Sequence, residues 1–481
     1  MRQVSASFMP HIPPSLWLSH NTVYFPNKLA LITLDRTWTY AELATYVNIL
    51  ATQLLHYGIV PHTAVAISCN SKFLSTALLH ALPTIGCAAF PLREDRSNFF
   101  SPLLITANVK YIITDTMVSN ETQLPVIQIS KLPAMVTIKN QFASTHALEL
   151  NDIHLLIATS GSTGIPKAVM LTGNNIVAAA TASLTSIPLM SSDRWLLCLP
   201  LYHIGGVAIL HRCTQIGAAV MMIDNADGAT IANALAKYAC THVSLVPAML
   251  ARLLEIMPNP PPHLKLVLIG GAALEPSLAQ RAVAQKWPLC ISYGMSETCS
   301  QLASLCNPAS NWSGQLVGKP LPGMQIRIEH ITGRIQVRGN MLMAGYANSK
   351  GYLGVGIEED GWFTTADVGS IDTSGQLWVQ GRADYVLNSG GIKIYPEQVE
   401  CILKDCPGIN EVAISGRYDP IWGELVVAIF VGTAEICAIE AWCRQHIHSS
   451  IRPRSVIKVK TLPRTTIEKL DRAALRVMAN N

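Results

Sequence analysis

Apolar positions along this chain switch repeatedly between a helical spacing and short unbroken runs. Between Trp38 and Phe90, the three- and four-residue spacing predicts helices over Ala41–Tyr57 and Phe73–Ile85, with the β-branched run Thr63–Ser68 as a strand between them. The same alternation returns further on: a buried strand at Leu264–Ile269, a Gly270-Gly271 turn, a helix opened by Glu275-Pro276 and running to about Trp287, and a strand at Leu289–Tyr293. Strands and helices in such alternation predict layered α/β sheets, whose strand ends are the usual place for a ligand.

From about Gly318 the texture changes. Shorter alternating segments separated by glycine, such as Gln325–Glu329 and Arg334–Arg338, predict antiparallel hairpins and hence a β-rich subdomain. A last unit begins near Gly381, with helices predicted at Pro396–Leu403 and Ile436–His448 and strands at Glu411–Ser415 and Val426–Val431. The expected organisation is therefore a large α/β N-terminal domain over 1–381 and a small α+β C-terminal domain over 382–481.

Composition narrows the classes. At 481 residues the chain exceeds what one core supports, and 49% hydrophobic against 14% charged residues excludes a disordered protein. The mean hydropathy is positive, but the least polar stretches, Ser75–Leu92 and Trp195–Leu210, are interrupted by His80, Pro83, Pro200 and His203, too soon for a membrane span. Pro10, His11, Pro13 and Pro14 interrupt the N-terminus where a signal peptide needs a continuous apolar segment. Twelve scattered cysteines contain no C-x-x-C pair, which predicts reduced, mostly buried thiols. A net charge of +4 without a Lys/Arg block argues against a nucleic-acid surface. A cytoplasmic small-molecule enzyme is the expectation, with its oligomeric state open.

The first candidate site is Thr159-Ser160-Gly161-Ser162-Thr163-Gly164-Ile165-Pro166-Lys167, set between an apolar strand ending near Ala158 and another at Ala168–Leu171. Glycines let backbone N–H groups converge on an anion, hydroxyls add donors, and Lys167 adds charge. A Walker A loop is excluded, because no Lys-Ser/Thr follows Gly164 and the next segment reads as a strand. A plain hairpin loop remains possible from these residues alone.

This nonapeptide resembles the signature of the adenylate-forming superfamily, which includes acyl-CoA synthetases, firefly luciferases and peptide-synthetase adenylation domains. Ala168 replaces the family's usual glycine. Further segments resembling the family's motifs follow in order. Pro200-Leu201-Tyr202-His203 resembles the segment whose histidine lies near the activated carboxylate. Gly270-Gly271-Ala272-Ala273 resembles the turn along adenine and acyl group, which implicates Gly271 and Ala272 in ATP binding. In Tyr293-Gly294-Met295-Ser296-Glu297 the resemblance implies adenine stacking by Tyr293, an α-phosphate contact by Ser296 beside Gly294, and a Mg²⁺ ligand in Glu297.

Gly361-Trp362-Phe363-Thr364-Thr365-Ala366-Asp367 resembles the ribose motif, with Asp367 the acceptor from both hydroxyls. Arg382-Ala383-Asp384 resembles the family hinge: Arg382 would contact the nucleotide, and Asp384 would absorb the rotation of a mobile small domain. That rotation is implied to bring Gly390, Gly391 and Lys393 to the CoA half-reaction. Leu462–Arg472 resembles the segment bearing the catalytic lysine, here Lys469, with Glu468 where glycine is usual.

The resemblance implies activation of a carboxylate as its acyl-adenylate with ATP and Mg²⁺, then transfer to coenzyme A. The chain ends nine residues after Arg472, which leaves no room for a carrier domain and favours free CoA. The acid is indicated by Arg212, the only charged residue between Arg194 and Asp224, nine positions after His203 in an apolar helix beginning near Gly205. A buried arginine needs an anionic partner, either a protein acid or helix end or a second substrate carboxylate. The stretch from Leu201 to Arg212, with Ser244-Leu245-Val246-Pro247, is similar to the o-succinylbenzoate:CoA ligases of menaquinone synthesis. Alternatives are a ligase for another aryl or medium-chain acid and a non-catalytic nucleotide-binding relative.

Overall fold

The computed structural model describes residues 11–93, 101–116, 124–132, 146–159, 166–351, 353–464 and 470–481. It divides into two compact units: residues 1–312, 317–326 and 337–363 form one, and residues 313–316, 327–336 and 364–481 form the other.

The first unit contains two sheets. In one, the neighbouring strands run in the order Ser300–Cys306, Leu289–Met295, Leu266–Ile269, His242–Leu245, Arg194–Leu197, Ala219–Met222, Leu29–Ile32 and Thr37–Thr39. From Leu289–Met295 to Leu29–Ile32 every pairing is parallel. Parallel strands covered on both faces should be continuously apolar, and Leu266–Ile269, His242–Leu245 and Ala219–Met222 are buried at every position. The second sheet orders Gly345–Tyr346, Lys167–Thr172, Ile153–Thr159, Ala88–Pro91, Ala64–Ser68, Val109–Thr114 and Val126–Gln128.

Local signals set the helix ends. The helix predicted over Ala41–Tyr57 is Tyr40–His56. It starts where Thr39 and Glu42 form a reciprocal cap: the Glu42 N–H donates to Thr39 Oγ1 at 3.2 Å, and the Thr39 N–H donates to Glu42 Oε2 at 2.8 Å. Its apolar stripe of Leu43, Val47, Leu50, Ala51 and Leu54 is buried, worth about 1.5–3 kcal/mol for each full-sized side chain. The helix at Pro276–Ala284 stops short of the expected Trp287, since Lys286 adopts φ +63° and turns the chain into the next strand.

In the second unit, Gly423–Gly432 is flanked by Ile409–Asp419 and Leu387–Ser389 antiparallel and by Ser455–Lys458 parallel, with Ile392–Ile394 beyond Leu387–Ser389. The unit also holds helices Pro396–Lys404, Ile436–His446 and Arg472–Asn480 and the antiparallel pair Phe363–Ile371 and Leu377–Arg382. The buried Glu400 receives Arg472 Nη1 at 2.5 Å and Nη2 at 3.0 Å, and also accepts the Ile414 N–H at 2.7 Å. A buried charge paired on both oxygens avoids the cost of an unpaired one.

Two cysteines depart from the expectation of reduced thiols: Cys290 and Cys306 form a disulfide. They face each other across antiparallel strands, with Cα atoms 3.9 Å apart, a juxtaposition invisible in a separation of 16 residues. The remaining ten cysteines are free. Unfolded without reductant, the protein is expected to titrate ten thiols, and twelve after reduction; twelve without reductant would show the pair open.

Behind the second sheet, His80, His154 and His211 line one pocket with Trp17 and Ile176. Burial lowers His80 to about 4, and burial together with His80, His154 and Arg212 lowers His211 to about 3. Burial likewise lowers His242, on the first sheet, to about 4. Because these folded-state values lie below the unfolded 6.5, stability is fully present above pH 6.5 and falls as acid drives uptake by the unfolded chain. At pH 5 each such histidine costs about 2 kcal/mol, against a typical total of about 5–15 kcal/mol. Thermal melts of the first unit, followed by Trp17 and Trp195 fluorescence, are expected to fall steeply between pH 6.5 and 4; a flat profile would contradict neutral burial. Glu397, in the second unit, has the opposite sign. Burial raises it to about 7, so its contribution is full below 4.5 and is lost as pH rises through 7.

Candidate functional site

The parallel strands of the first unit end side by side, and the loops that follow them carry the predicted residues. Arg194–Leu197 leads to His203, the cap residue before helix Ile204–Ile216. Leu266–Ile269 leads to Gly270, Gly271 and Ala272, the last two exposed. Leu289–Met295 delivers Tyr293 and Gly294, followed by the turn of Ser296 and Glu297. Neighbouring registers place Leu268 beside Cys290 and Val243 beside Val267, so these loops emerge at one carboxyl edge.

The hairpin made by Leu289–Met295 and Ser300–Cys306 is unusually tight at its tip. A Cβ on Gly294 would lie 1.7 Å from the Ser300 carbonyl oxygen, so no other residue fits there. Cys299 and Ser300 follow with φ of +51° and +100°, values that side-chain-bearing residues rarely adopt and that tend to occur where a site demands them.

Ser300 is one of the groups that hold Arg212. The guanidinium donates from Nε to Ser183 Oγ at 3.0 Å and from Nη2 to Ser300 Oγ and Gln301 Oε1, both at 3.3 Å. Trp195 lies 5.6 Å from it, itself anchored by Nε1 donating to Ser244 Oγ at 3.1 Å. Arg212 is 2% exposed, and burial lowers it to about 10, which leaves it charged at neutral pH. All three acceptors are neutral, and among the described residues no acid forms an ion pair with it. The protein-acid explanation of this arginine is therefore not what the described residues contain.

A second group gathers at the start of strand Lys167–Thr172. Lys167 Nζ lies 4.7 Å from the centroid of the Tyr346 ring, and the Tyr346 hydroxyl donates to Glu297 Oε1 at 2.7 Å. Thr159 sits opposite Lys167 on the adjoining strand. Residues 160–164 of the expected phosphate loop lie outside the described residues. Among the described residues no cluster of three His, Cys, Asp or Glu side chains could hold a metal by itself. Glu297, half-buried and oriented by Tyr346, fits a hard cation that takes its remaining oxygens from phosphates and water.

The second unit holds the other predicted residues. Asp367 and Arg382 are opposite each other on antiparallel strands, with Arg382 Nη1 3.7 Å from Asp367 Oδ1. Arg382 Nη2 also donates to Asp384 at 3.0 Å, which draws Asp367, Arg382 and Asp384 into one network. Gly390 and Gly391 form the turn between Leu387–Ser389 and Ile392–Ile394, and Lys393 is exposed on the latter strand. Lys469 lies outside the described residues; Arg464 and Leu470 on either side of that segment pair as an antiparallel bridge.

Sequence reasoning missed Tyr346, Ser183, Ser300 and Gln301. Tyr346 belongs to a two-residue strand, too short to carry a periodicity signal. The three acceptors lie 29, 88 and 89 residues from Arg212, so only the fold brings them to it.

Residues 18–353 match the model of the AMP-binding enzyme family, and residues 398–469 match the AMP-binding enzyme C-terminal domain. The 2-succinylbenzoate–CoA ligase of Bacillus pumilus is 30% identical, over 96% of this chain and 97% of that protein. Two structures of the Bacillus subtilis o-succinylbenzoate CoA synthetase are similar, each at 28% identity and over 97% of this chain. The complex with the acyl-adenylate intermediate superposes with a TM-score of 0.89 over 98% of its chain, and the complex with ATP and a magnesium ion with 0.88 over 99%. With the first family model alone covering well over half of its length, the chain belongs to the AMP-binding enzyme family.

Proposed function

We propose that this protein is an AMP-forming acid:CoA ligase that converts o-succinylbenzoate, ATP and coenzyme A to o-succinylbenzoyl-CoA, AMP and pyrophosphate, a step of menaquinone biosynthesis. The observation that carries the choice of acid is Arg212: a buried guanidinium held by neutral acceptors calls for an anion, and the second carboxylate of this substrate is one. The helix that carries it, Ile204–Ile216, is capped by His203, the residue assigned to the carboxylate being activated. The names of the relatives point the same way.

In the first half-reaction a carboxylate oxygen attacks the α-phosphorus of ATP, and pyrophosphate leaves. Both reactants are anions, so catalysis consists of positioning and charge neutralisation. Lys469 carries the main transition-state role and Lys167 offsets phosphate charge. Tyr293 and the Gly271-Ala272 turn receive the adenine, Ser296 the α-phosphate, Asp367 the ribose and Arg382 the nucleotide. Mg²⁺, held by Glu297, supplies charge neutralisation on the phosphates. In the second half-reaction the CoA sulfur attacks the acyl carbonyl and AMP leaves, with Gly390, Gly391 and Lys393 serving the thiol and Asp384 the change between states.

Nothing in this chemistry uses nucleic acid, no helix among the described residues is long and apolar enough to cross a membrane, and the cytoplasm, where ATP and CoA are held, is its proposed location. We also propose 1–381 and 382–481 as the functional division of the chain. A panel of acids with ATP, Mg²⁺ and CoA, read by mass spectrometry of the thioester, tests the reading. Preference for o-succinylbenzoate supports it; preference for a simple aryl or medium-chain acid would replace the substrate, and no AMP with any acid would indicate a non-catalytic relative.

A further inference from the structure

Tyr346 joins two groups that the reaction needs in register. Its hydroxyl donates to Glu297 Oε1 at 2.7 Å, and its ring lies 4.7 Å from the Lys167 ammonium. The arrangement is built into the backbone. Gly345 and Tyr346 pair antiparallel with Met170 and Val169, two positions from Lys167 and on the same face of its strand. The Tyr346 N–H donates to the Val355 carbonyl at 2.8 Å, and the Met343 N–H donates to the Glu297 carbonyl at 2.8 Å. One short segment therefore grips Glu297 through both its main chain and its carboxylate.

The ring has little freedom to leave. A Cβ on Gly356 would lie 2.6 Å from Tyr346 Cδ2 and 2.7 Å from Cε2, so the glycine there leaves the space that the ring fills. Phe363 closes another side, edge-on with centroids 6.4 Å apart. A carboxylate accepts several hydrogen bonds, so a phenol on one oxygen orients Glu297 without excluding a cation. A cation over a tyrosine face is attracted to it, which holds Lys167 near the same point.

We infer that Tyr346 is a positioning residue that sets Glu297 and Lys167 in place for a metal-bound triphosphate before the nucleotide arrives. This rests on the assignment of Glu297 as the metal-side carboxylate. The role predicts a defect specific to metal and phosphate: fixing one carboxylate beforehand lowers the cost of ordering it on binding. It does not involve the acid, whose proposed partners are Arg212 on helix Ile204–Ile216 and His203 at its cap.

The experiment compares Y346F, Y346L and E297Q with the parent protein. Mn²⁺ serves as the metal probe and is titrated by electron paramagnetic resonance in the presence of a non-hydrolysable ATP analogue; KM for the acid and thermal melts accompany it. Y346F keeps the ring and removes only the hydroxyl. It is expected to weaken nucleotide-dependent Mn²⁺ binding about tenfold, the size of one lost hydrogen bond to a charged group, with KM for the acid and the melting temperature unchanged. Y346L removes the ring as well and is expected to weaken binding of the metal-free nucleotide too, through Lys167. Parent-like Mn²⁺ affinity in Y346F, with loss in E297Q, would overturn the inference and leave Tyr346 a packing residue. Parent-like affinity in E297Q would overturn the metal assignment of Glu297 and this inference with it.

Discussion

Arg212→Gln is expected to raise KM for o-succinylbenzoate about a hundredfold, while KM for a benzoate without a second carboxylate changes less than about threefold. The size follows from the loss of two charge-assisted hydrogen bonds to a buried guanidinium, about 1.5 kcal/mol each at the low end, with about 1.4 kcal/mol for each factor of ten. Glutamine keeps an amide donor in place of the guanidinium that bonds Ser183, Ser300 and Gln301, so the pocket is expected to keep some of its internal bonds. Arg212→Lys separates charge from shape: it retains the cation but not the planar fork, and an intermediate KM is expected. Thioester formation with both acids provides the measurement. An equal rise for the two substrates would remove Arg212 from contact with the distal carboxylate and return it to a structural role.

Lys469→Ala is expected to slow acid-dependent pyrophosphate release by about two to three orders of magnitude, the usual consequence of removing one donor aimed at developing charge. Thioester formation from a chemically prepared acyl-adenylate and CoA should stay within a few-fold of the parent rate, because the role proposed for Lys469 is confined to the first half-reaction. The neighbouring residues are well anchored. Asp471 caps the last helix by accepting from Ala473 and Ala474 at 3.1 and 3.0 Å, and Arg472 is locked onto Glu400. An unchanged thermal melt of Lys469→Ala is therefore the expected control. Equal slowing of both half-reactions would contradict a role confined to adenylation.

Much of the fold was legible in the order of apolar patterns. The helix over Tyr40–His56 was marked by its apolar stripe, and the strand Leu266–Ile269 by an unbroken apolar run. These signals are local, set by the 3.6-residue helical repeat and by burial on both faces of a parallel sheet. The Lys286 turn was not legible, because a left-handed lysine leaves no compositional mark.

The residues proposed for the nucleotide were singled out for a different reason: each lies in a short contiguous motif that resembles one of the family's, with residue types that suit the chemistry. Hydroxyls and a lysine suit phosphate, glycines permit close approach, and a carboxylate suits a hard cation. By itself the sequence determined the α/β layering and which loops carry polar chemistry. Through its resemblance to a family, it indicated the adenylate-forming reaction.

Only the tertiary structure decided that Arg212 is surrounded by Ser183, Ser300 and Gln301 instead of an acid, that Cys290 meets Cys306, and that Tyr346 ties Lys167 to Glu297. These contacts join residues far apart in the chain. Side-chain partners of that kind depend on strand order and register, which periodicity does not encode, and a motif states which groups are present without stating what satisfies them.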